Sequence, residues 1–243
     1  MSDENNQLIL VCGQSATGKT ASLRNIKNQE KWYYLNTEAG KRPSFPAKFQ
    51  QYRVTDPEQI IEAFDHGLTD TNCSGIVIDS LTFLMEMYES QCVLTAANTM
   101  KAWSNYNQYF KTILQDKVIK FGKPVIFIAH TQDYYSESEM VTKTVVPIKG
   151  ALKGTGIEAY FSCVVSAKTI PVTILEKYPS KLLHITEEDK LLGYKYVFQV
   201  TKTKDTVNER IRSPMGLFNI KEPYMDNDCQ ILLDHLNKYY GVK

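Results

Sequence analysis

The stretch Leu8 to Thr20, LILVCGQSATGKT, constrains this chain more than any other. The apolar run Leu8 to Cys12 has the length and composition of a buried strand. The next residues, Gly13-Gln14-Ser15-Ala16-Thr17-Gly18-Lys19-Thr20, fit G-x-x-x-x-G-K-[ST], the P-loop pattern. A helix-compatible run, Ala21 to Lys27, follows. Glycine at 13 and 18 permits backbone angles and close approaches that a β-carbon would block. The spacing predicts that amides from Ser15 to Thr20 wrap a phosphate chain at a helix N-terminus, so residues 13–21 form the seat. Lys19 is a point charge for β- and γ-phosphates, and Thr20 offers a hydroxyl to Mg²⁺. The expected cofactors are therefore ATP and Mg²⁺.

Further along, strand-like runs alternate with helical patterns. Lys31 to Asn36 is aromatic and β-prone and leads to Glu38. Gln51 to Thr55 reads as a short strand, and Asp56-Pro57 starts a helix that runs to Gly67. Ser74 to Ser80 is a strand that ends on Asp79, and Val125 to Ala129 is a strand tipped by His130. Between them, Trp103 to Phe121 carries apolar residues at helical spacing, while Leu81 to Asn105, with frequent Ser, Thr and Asn, looks helical only in parts. Thr131 to Thr155 reads as a long irregular loop. Gly150 to Tyr160 suggests a short helix, Phe161 to Val165 and Tyr194 to Thr203 suggest strands, and Thr169 to Lys190 reads as a surface excursion between them. Asn227 to Tyr240 is an amphipathic terminal helix. The alternation predicts an α/β fold, a mostly parallel sheet with helices on both faces, in one domain spanning residues 1–243.

In such sheets ligands sit at the C-terminal ends of the strands, where Gly13, Glu38, Asp79 and His130 all fall. Asp79 is expected to hold Mg²⁺ opposite Thr20. Glu38, read as the tip of the strand next to the P-loop strand, is the candidate base that orients a water toward the γ-phosphate. His130 is placed to touch the γ-phosphate and signal to the loop that follows.

Composition excludes several classes. Net charge is +1, so any nucleic-acid contact needs a local patch. The five cysteines show no zinc spacing and no C-x-x-C pair, which suits a reducing compartment. The polar, acidic N-terminus is no signal peptide, and no apolar run approaches a membrane span. A cytoplasmic protein is expected.

GQSATGKT, the strand-tip Glu38, IVIDS, and IFIAH before a long loop resemble the RecA-type ATPase core. Gly150 to Tyr160 is similar to the segment after that family's second DNA-binding loop. Val200-Thr-Lys202-Thr-Lys204 resembles the lysine pair that RecA-like ATPases set against a neighbouring subunit's γ-phosphate. The likeness covers about residues 7–220, leaving the terminal helix, about 227–240, outside it. It looks closest to the small phage and prophage RecA-like ATPases associated with single-strand annealing and recombination. The resemblance implies a homo-oligomer with ATP between protomers, catalysis by Lys19, Glu38, His130, Lys202 and Lys204, and single-stranded DNA as partner. On a strand, Lys202 and Lys204 would share one face, and Arg210 and Arg212 are reserve candidates. Tyr134, Tyr135, Lys143, Lys149 and Lys153 would meet DNA, although Asp133, Glu137 and Glu139 balance that loop's charge. Two rivals stand beside this reading. One is a nucleotide-gated interaction or assembly factor with little turnover. The other is a small-molecule P-loop kinase, for which no arginine-rich lid segment is visible.

Overall fold

The structure, a computed structural model, describes residues 5–241. Its organising element is β1 (Leu8–Gly13), buried along its whole length. The run has no polar face because both faces of the strand are covered. Leu8, Leu10 and Cys12 enter one core layer, and Ile9 and Val11 enter the other.

The chain continues through β2 (Trp32–Asn36), β3 (Gln50–Arg53), α1 (Glu58–Thr69), β4 (Gly75–Asp79) and α2 (Leu81–Tyr88). Next, α3 (Thr99–Thr112) runs through a π-turn, Ile113–Lys117, into α4 (Val118–Phe121), and β5 (Val125–His130) follows. β6 (Gln132–Ser136) and β7 (Val141–Val145) come before α5 (Leu152–Thr155) and β8 (Cys163–Pro171). The remainder is α6 (Val172–Leu175), α7 (Glu187–Leu192), β9 (Tyr194–Gln199), β10 (Tyr224–Asp226) and α8 (Cys229–Tyr240). Eight strands form one sheet in the order β10-β9-β8-β1-β5-β4-β2-β3. From β8 to β3 the pairs are parallel, while β9 and β10 add antiparallel partners at one edge.

This is the α/β class the sequence predicts. One layer holds α1 to α4, with Phe64, Tyr106, Phe110 and Phe127 at its centre. The other holds α8, with Leu23 and Ile26 wedged beside Leu232 and Leu236. α8 starts on Asp228, whose side chain accepts from the amides of Gln230 and Ile231, so its first residue is Cys229.

Several expectations need correction. Thr131–Thr155 is not irregular. β6 and β7 form a two-stranded antiparallel ribbon immediately after β5. It has no core face, so its alternation carries almost no apolar signal. Thr169–Lys190 is not wholly a surface excursion either, because β8 extends to Pro171 and Leu175 and Leu183 pack with Val197 and Tyr224 in a small third core. The strand expected over Tyr194–Thr203 stops at Gln199, where the Gln199 amide turns to the Thr201 carbonyl and the Thr206 hydroxyl. Lys202 and Lys204 therefore lie in a loop, and the argument that a strand puts them on one face fails.

Candidate active site

The phosphate loop leaves β1 at Gly13. A β-carbon there would lie 2.6 Å from the Ala167 carbonyl oxygen on β8 and 2.8 Å from Thr17 Oγ1, so the strand spacing itself demands glycine. Gly18 has φ +82°, and its missing β-carbon would meet Asn227 Nδ2 at 2.4 Å. The helix expected over Ala21–Lys27 is instead a single 3₁₀ turn, Thr20–Leu23. Gln29 Nε2 donates to the carbonyls of Leu23 and Arg24, at 3.4 and 2.9 Å, taking acceptors that a continuing helix would use. So short a run has little helical drive of its own. An anion held here would meet loop amides and Lys19 rather than a long helix dipole.

Lys19 is buried, and its ammonium donates to the carbonyls of Gly13 (3.0 Å) and Gln14 (2.7 Å). Burial lowers its pKa, with Asp79 and Glu38 pulling the other way. Thr20 Oγ1 donates to Asp79 Oδ2 at 2.8 Å, and the Tyr34 hydroxyl donates to the same oxygen at 2.6 Å. Asp79 Oδ1 is buried with no partner among the described residues. An oxygen-rich pair with one orphaned carboxylate oxygen beside a phosphate loop fits Mg²⁺, which takes few protein ligands and keeps phosphate and water for the rest. Burial raises the Asp79 pKa despite the two hydroxyl donors, so the site favours a counter-charge.

Glu38 reaches this cleft by a different route from the one expected. β2 is not next to β1, because β5 and β4 lie between them. The end of β2 is tied to the end of β4 instead. Thr37 N donates to the Asp79 carbonyl at 2.8 Å, and the Thr37 hydroxyl bridges the backbone of Ser80. Glu38 then points inward, its own amide fixed on Asn36 Oδ1 at 2.9 Å. Glu38 Oε1 accepts from His130 Nε2 at 3.0 Å and Oε2 from Lys41 at 3.0 Å. These bonds, the one from His130 foremost, hold the Glu38 carboxyl down at about 2 despite desolvation. With the Glu38 carboxylate as acceptor, His130 Nε2 is the donor in this bond. The His130 amide donates to Thr82 Oγ1 at 2.9 Å, and Phe83 packs edge-on against the ring.

Lys19, Thr20, Glu38, Asp79 and His130 share one cleft of about 880 Å³, with Ser15, Ala16, Gly18 and Ala21 in its lining. Gln14 and Thr17 do not line it: Gln14 Nε2 donates to Asp133 Oδ2 at 3.2 Å, and Thr17 Oγ1 donates to the Gln14 carbonyl. Lys202 and Lys204 do not line the cleft of their own protomer, and Lys202 Nζ donates to the Val207 carbonyl at 3.2 Å. Of the reserve arginines, Arg210 is paired with buried Glu158 at 2.9 Å and Arg212 donates to the Ala159 carbonyl.

Sequence reasoning missed the opposite wall: Arg24, Tyr196 and Asn227, with His184, Asp189 and Lys195 beyond them. Asn227 Nδ2 donates to the Gly18 carbonyl at 3.0 Å, and Arg24 Nη1 to the Asn227 carbonyl at 2.9 Å. No motif marks these residues. The available signal was place alone: Arg24 just after the phosphate-loop motif, Lys195 and Tyr196 on a strand that joins the sheet, and Asn227 just before an amphipathic helix.

The ribbon gathers only part of the expected nucleic-acid set. Tyr134 faces Lys143 across the strands and Tyr135 faces Thr142. Successive side chains alternate, so the two tyrosines project from opposite faces. Lys143 pairs with Glu139, Lys149 pairs with Glu89 at 2.8 Å, and Lys153 lies beyond the ribbon on α5.

A phosphate loop on the central strand, with a Thr–Asp pair and a Glu–His pair at neighbouring strand ends, defines a P-loop ATPase site. A family model described as an AAA domain matches residues 5–208, and the chain belongs to that family of P-loop ATPases. No curated protein matches the chain. Among solved structures, the RadB recombinase is similar at 20% identity, over 69% of this chain and 76% of that one, with a TM-score of 0.43. So distant a likeness transfers nothing of that protein's action. Among the described residues, no helix is long and apolar enough to cross a membrane.

Proposed function

We propose that this protein is a RecA-like ATPase that binds and hydrolyses Mg²⁺–ATP in the described cleft and acts on single-stranded DNA in annealing or recombination. The observation that carries the ATPase reading is the convergence of Lys19, the Thr20–Asp79 pair and the Glu38–His130 pair on one phosphate loop. Mg²⁺, held by Thr20 and Asp79, would neutralise charge on the β- and γ-phosphates. Lys19 exchanges its two loop carbonyls for phosphate oxygens. Glu38, ionised at neutral pH, accepts a hydrogen bond from the attacking water and aims its lone pair at phosphorus. His130 fixes the Glu38 rotamer and relays a change at the γ-phosphate into the β6–β7 ribbon that it directly precedes.

The DNA reading is supported by that ribbon. It is exposed, carries Tyr134 and Lys143 opposite each other, and touches the phosphate loop through Gln14 and Asp133. The protein is proposed to assemble so that Lys202 and Lys204 of one protomer face the phosphates bound by the next. The test is ATP turnover by wild type, Lys19→Ala and Glu38→Gln, each with and without single-stranded DNA, alongside the sedimentation state with ATP. DNA stimulation that both substitutions abolish supports the reading. Bound ATP with no turnover in any condition would move the protein to the class of nucleotide-gated interaction factors.

A further inference from the structure

We infer that Tyr196 and Asn227 form the nucleoside seat of the cleft, with Tyr196 as the face on which the base stacks and Asn227 Oδ1 as an acceptor for a nucleoside donor. The inference rests on the nucleotide-binding reading and assigns its other half.

The first observation is directional. Asp79 and Glu38 stand at the ends of β4 and β2, on one side of β1 in the sheet, while β9, which carries Tyr196, stands on the other. A triphosphate whose γ-end lies by Lys19, Thr20 and Glu38 must send its nucleoside away from them, toward β9. The cleft continues in that direction, and its volume of about 880 Å³ suits a whole nucleotide rather than a phosphate chain alone.

The second observation is the state of the two side chains there. Tyr196 flanks the phosphate loop so closely that its Cδ1 lies 3.3 Å from where a Gly18 β-carbon would be. The residue is nevertheless 43% exposed, while the next residues on β9, Val197 and Phe198, are fully buried. Tyr194 meets it at a near-right angle, with ring centroids 5.9 Å apart, rather than stacking on it. An aromatic face open to a cleft stacks on any base, because every base has a π-face.

The third observation is chemical. Asn227 is only 3% exposed. Its Nδ2 is used on the Gly18 carbonyl, yet its Oδ1 is buried without a partner among the described residues. Buried acceptors are rarely left so, and each one in a native structure calls for a ligand, ion or water. The bond to Gly18 fixes which end of the amide is oxygen, so an unsatisfied acceptor lies within the wall beside the loop. The acceptor suits a hydroxyl or amino donor and would repel a phosphate oxygen, which places it against the nucleoside.

The test compares two probes by calorimetry on the full chain: ATP and inorganic tripolyphosphate. Wild type is expected to bind ATP more tightly. Tyr196→Ala is expected to weaken ATP by about tenfold or more, the scale of lost base–aromatic stacking, and to leave tripolyphosphate unchanged. Tyr196→Phe, which keeps the ring, is expected to retain wild-type ATP affinity, with thermal melts showing that both variants fold. An unchanged ATP-to-tripolyphosphate ratio in Tyr196→Ala, with ATP still lost in Lys19→Ala, overturns the nucleoside seat while the phosphate reading stands. Equal weakening of both probes also overturns it, because Tyr196 would then merely brace the loop. Failure of wild type to bind either probe removes both readings together.

Discussion

Replacing Glu38 with Gln separates two ways in which a carboxylate can promote hydrolysis. The bonds from His130 and Lys41 hold Glu38 at about 2, against an ordinary value of 4.5. A base this weak is unsuited to keeping a proton at neutral pH, so its contribution is orientation and charge rather than proton storage. Removing that charge should cost turnover about 10²–10⁴-fold, the usual range for a positioned acid–base group, while ATP affinity changes little. Turnover in wild type should stay level from pH 8 down to about 5 as far as Glu38 is concerned. The sign for stability follows from the depressed value. The contribution is complete above the unfolded carboxyl's titration near 4.5 and disappears as pH falls toward 2. The full shift corresponds to about 3 kcal/mol, and solvent at the cleft mouth reduces this to about 1–2 kcal/mol. Glu38→Gln should therefore lower the unfolding free energy at pH 7 by about that amount and narrow the gap to wild type near pH 2. Steady-state ATPase profiles and urea melts across pH check both parts. An acidic limb centred near pH 6–7 that vanishes in Glu38→Gln would refute the reasoning, because it would show Glu38 titrating where these bonds forbid it.

Asp79→Asn should abolish Mg²⁺-dependent turnover yet leave the melting temperature equal or higher at pH 7. Burial raises the Asp79 pKa, so the carboxylate costs stability above that pKa and the amide relieves it; a calorimetric fall of more than about 2 °C would contradict this. Gly18→Ala should lose ATP binding in titrations and cost at least about 1–2 kcal/mol in urea melts for its left-handed backbone alone, since the added carbon also strikes Asn227 Nδ2. If single strands lie on the ribbon face shared by Tyr134 and Lys143, Tyr134→Ala should weaken DNA binding by about 1–3 kcal/mol in anisotropy titrations while Tyr135→Ala on the opposite face changes it little; equal losses would deny a one-faced contact. Phe127→Ala, at the centre of the helical layer, should cost about 3–5 kcal/mol in denaturant melts.

The fold was legible wherever burial is two-sided. Leu8 to Cys12, Ile76 to Ile78 and Val125 to Ala129 are continuous apolar runs because parallel strands covered on both faces have no polar positions to show. Strand ends were legible for the same reason, since the first polar residue after each run, Asp79 or His130, is where the sheet meets the cleft. Sheet order was not legible. Nothing in Trp32 to Asn36 reveals that two strands separate it from β1, so Glu38 arrives beside Asp79 through Thr37 and Ser80 rather than by adjacency. The β6–β7 ribbon was hidden because a sheet solvated on both faces leaves no hydrophobic alternation. The strand placement of Lys202 and Lys204 failed because a β-prone run, Tyr194 to Thr203, ends at Gln199, whose side chain satisfies the local backbone. Tyr196 and Asn227 are brought to Gly18 only by tertiary packing, which no spacing rule encodes.

The grip of the Lys19 ammonium on the Gly13 and Gln14 carbonyls has a consequence for which ligands the loop admits. Those two bonds to neutral carbonyls must be given up before a phosphate is gripped, and they cost nothing in lost ligand entropy. A phosphate in the proposed seat would therefore have to displace the loop's own backbone from the cation. A triphosphate would bring several anionic oxygens to that exchange at once. On the nucleotide-binding reading, the loop would thus weigh phosphates by number before any base is read. Rejection of nucleoside monophosphates would then be inherent in the chain's resting hydrogen bonds, with no separate filter needed.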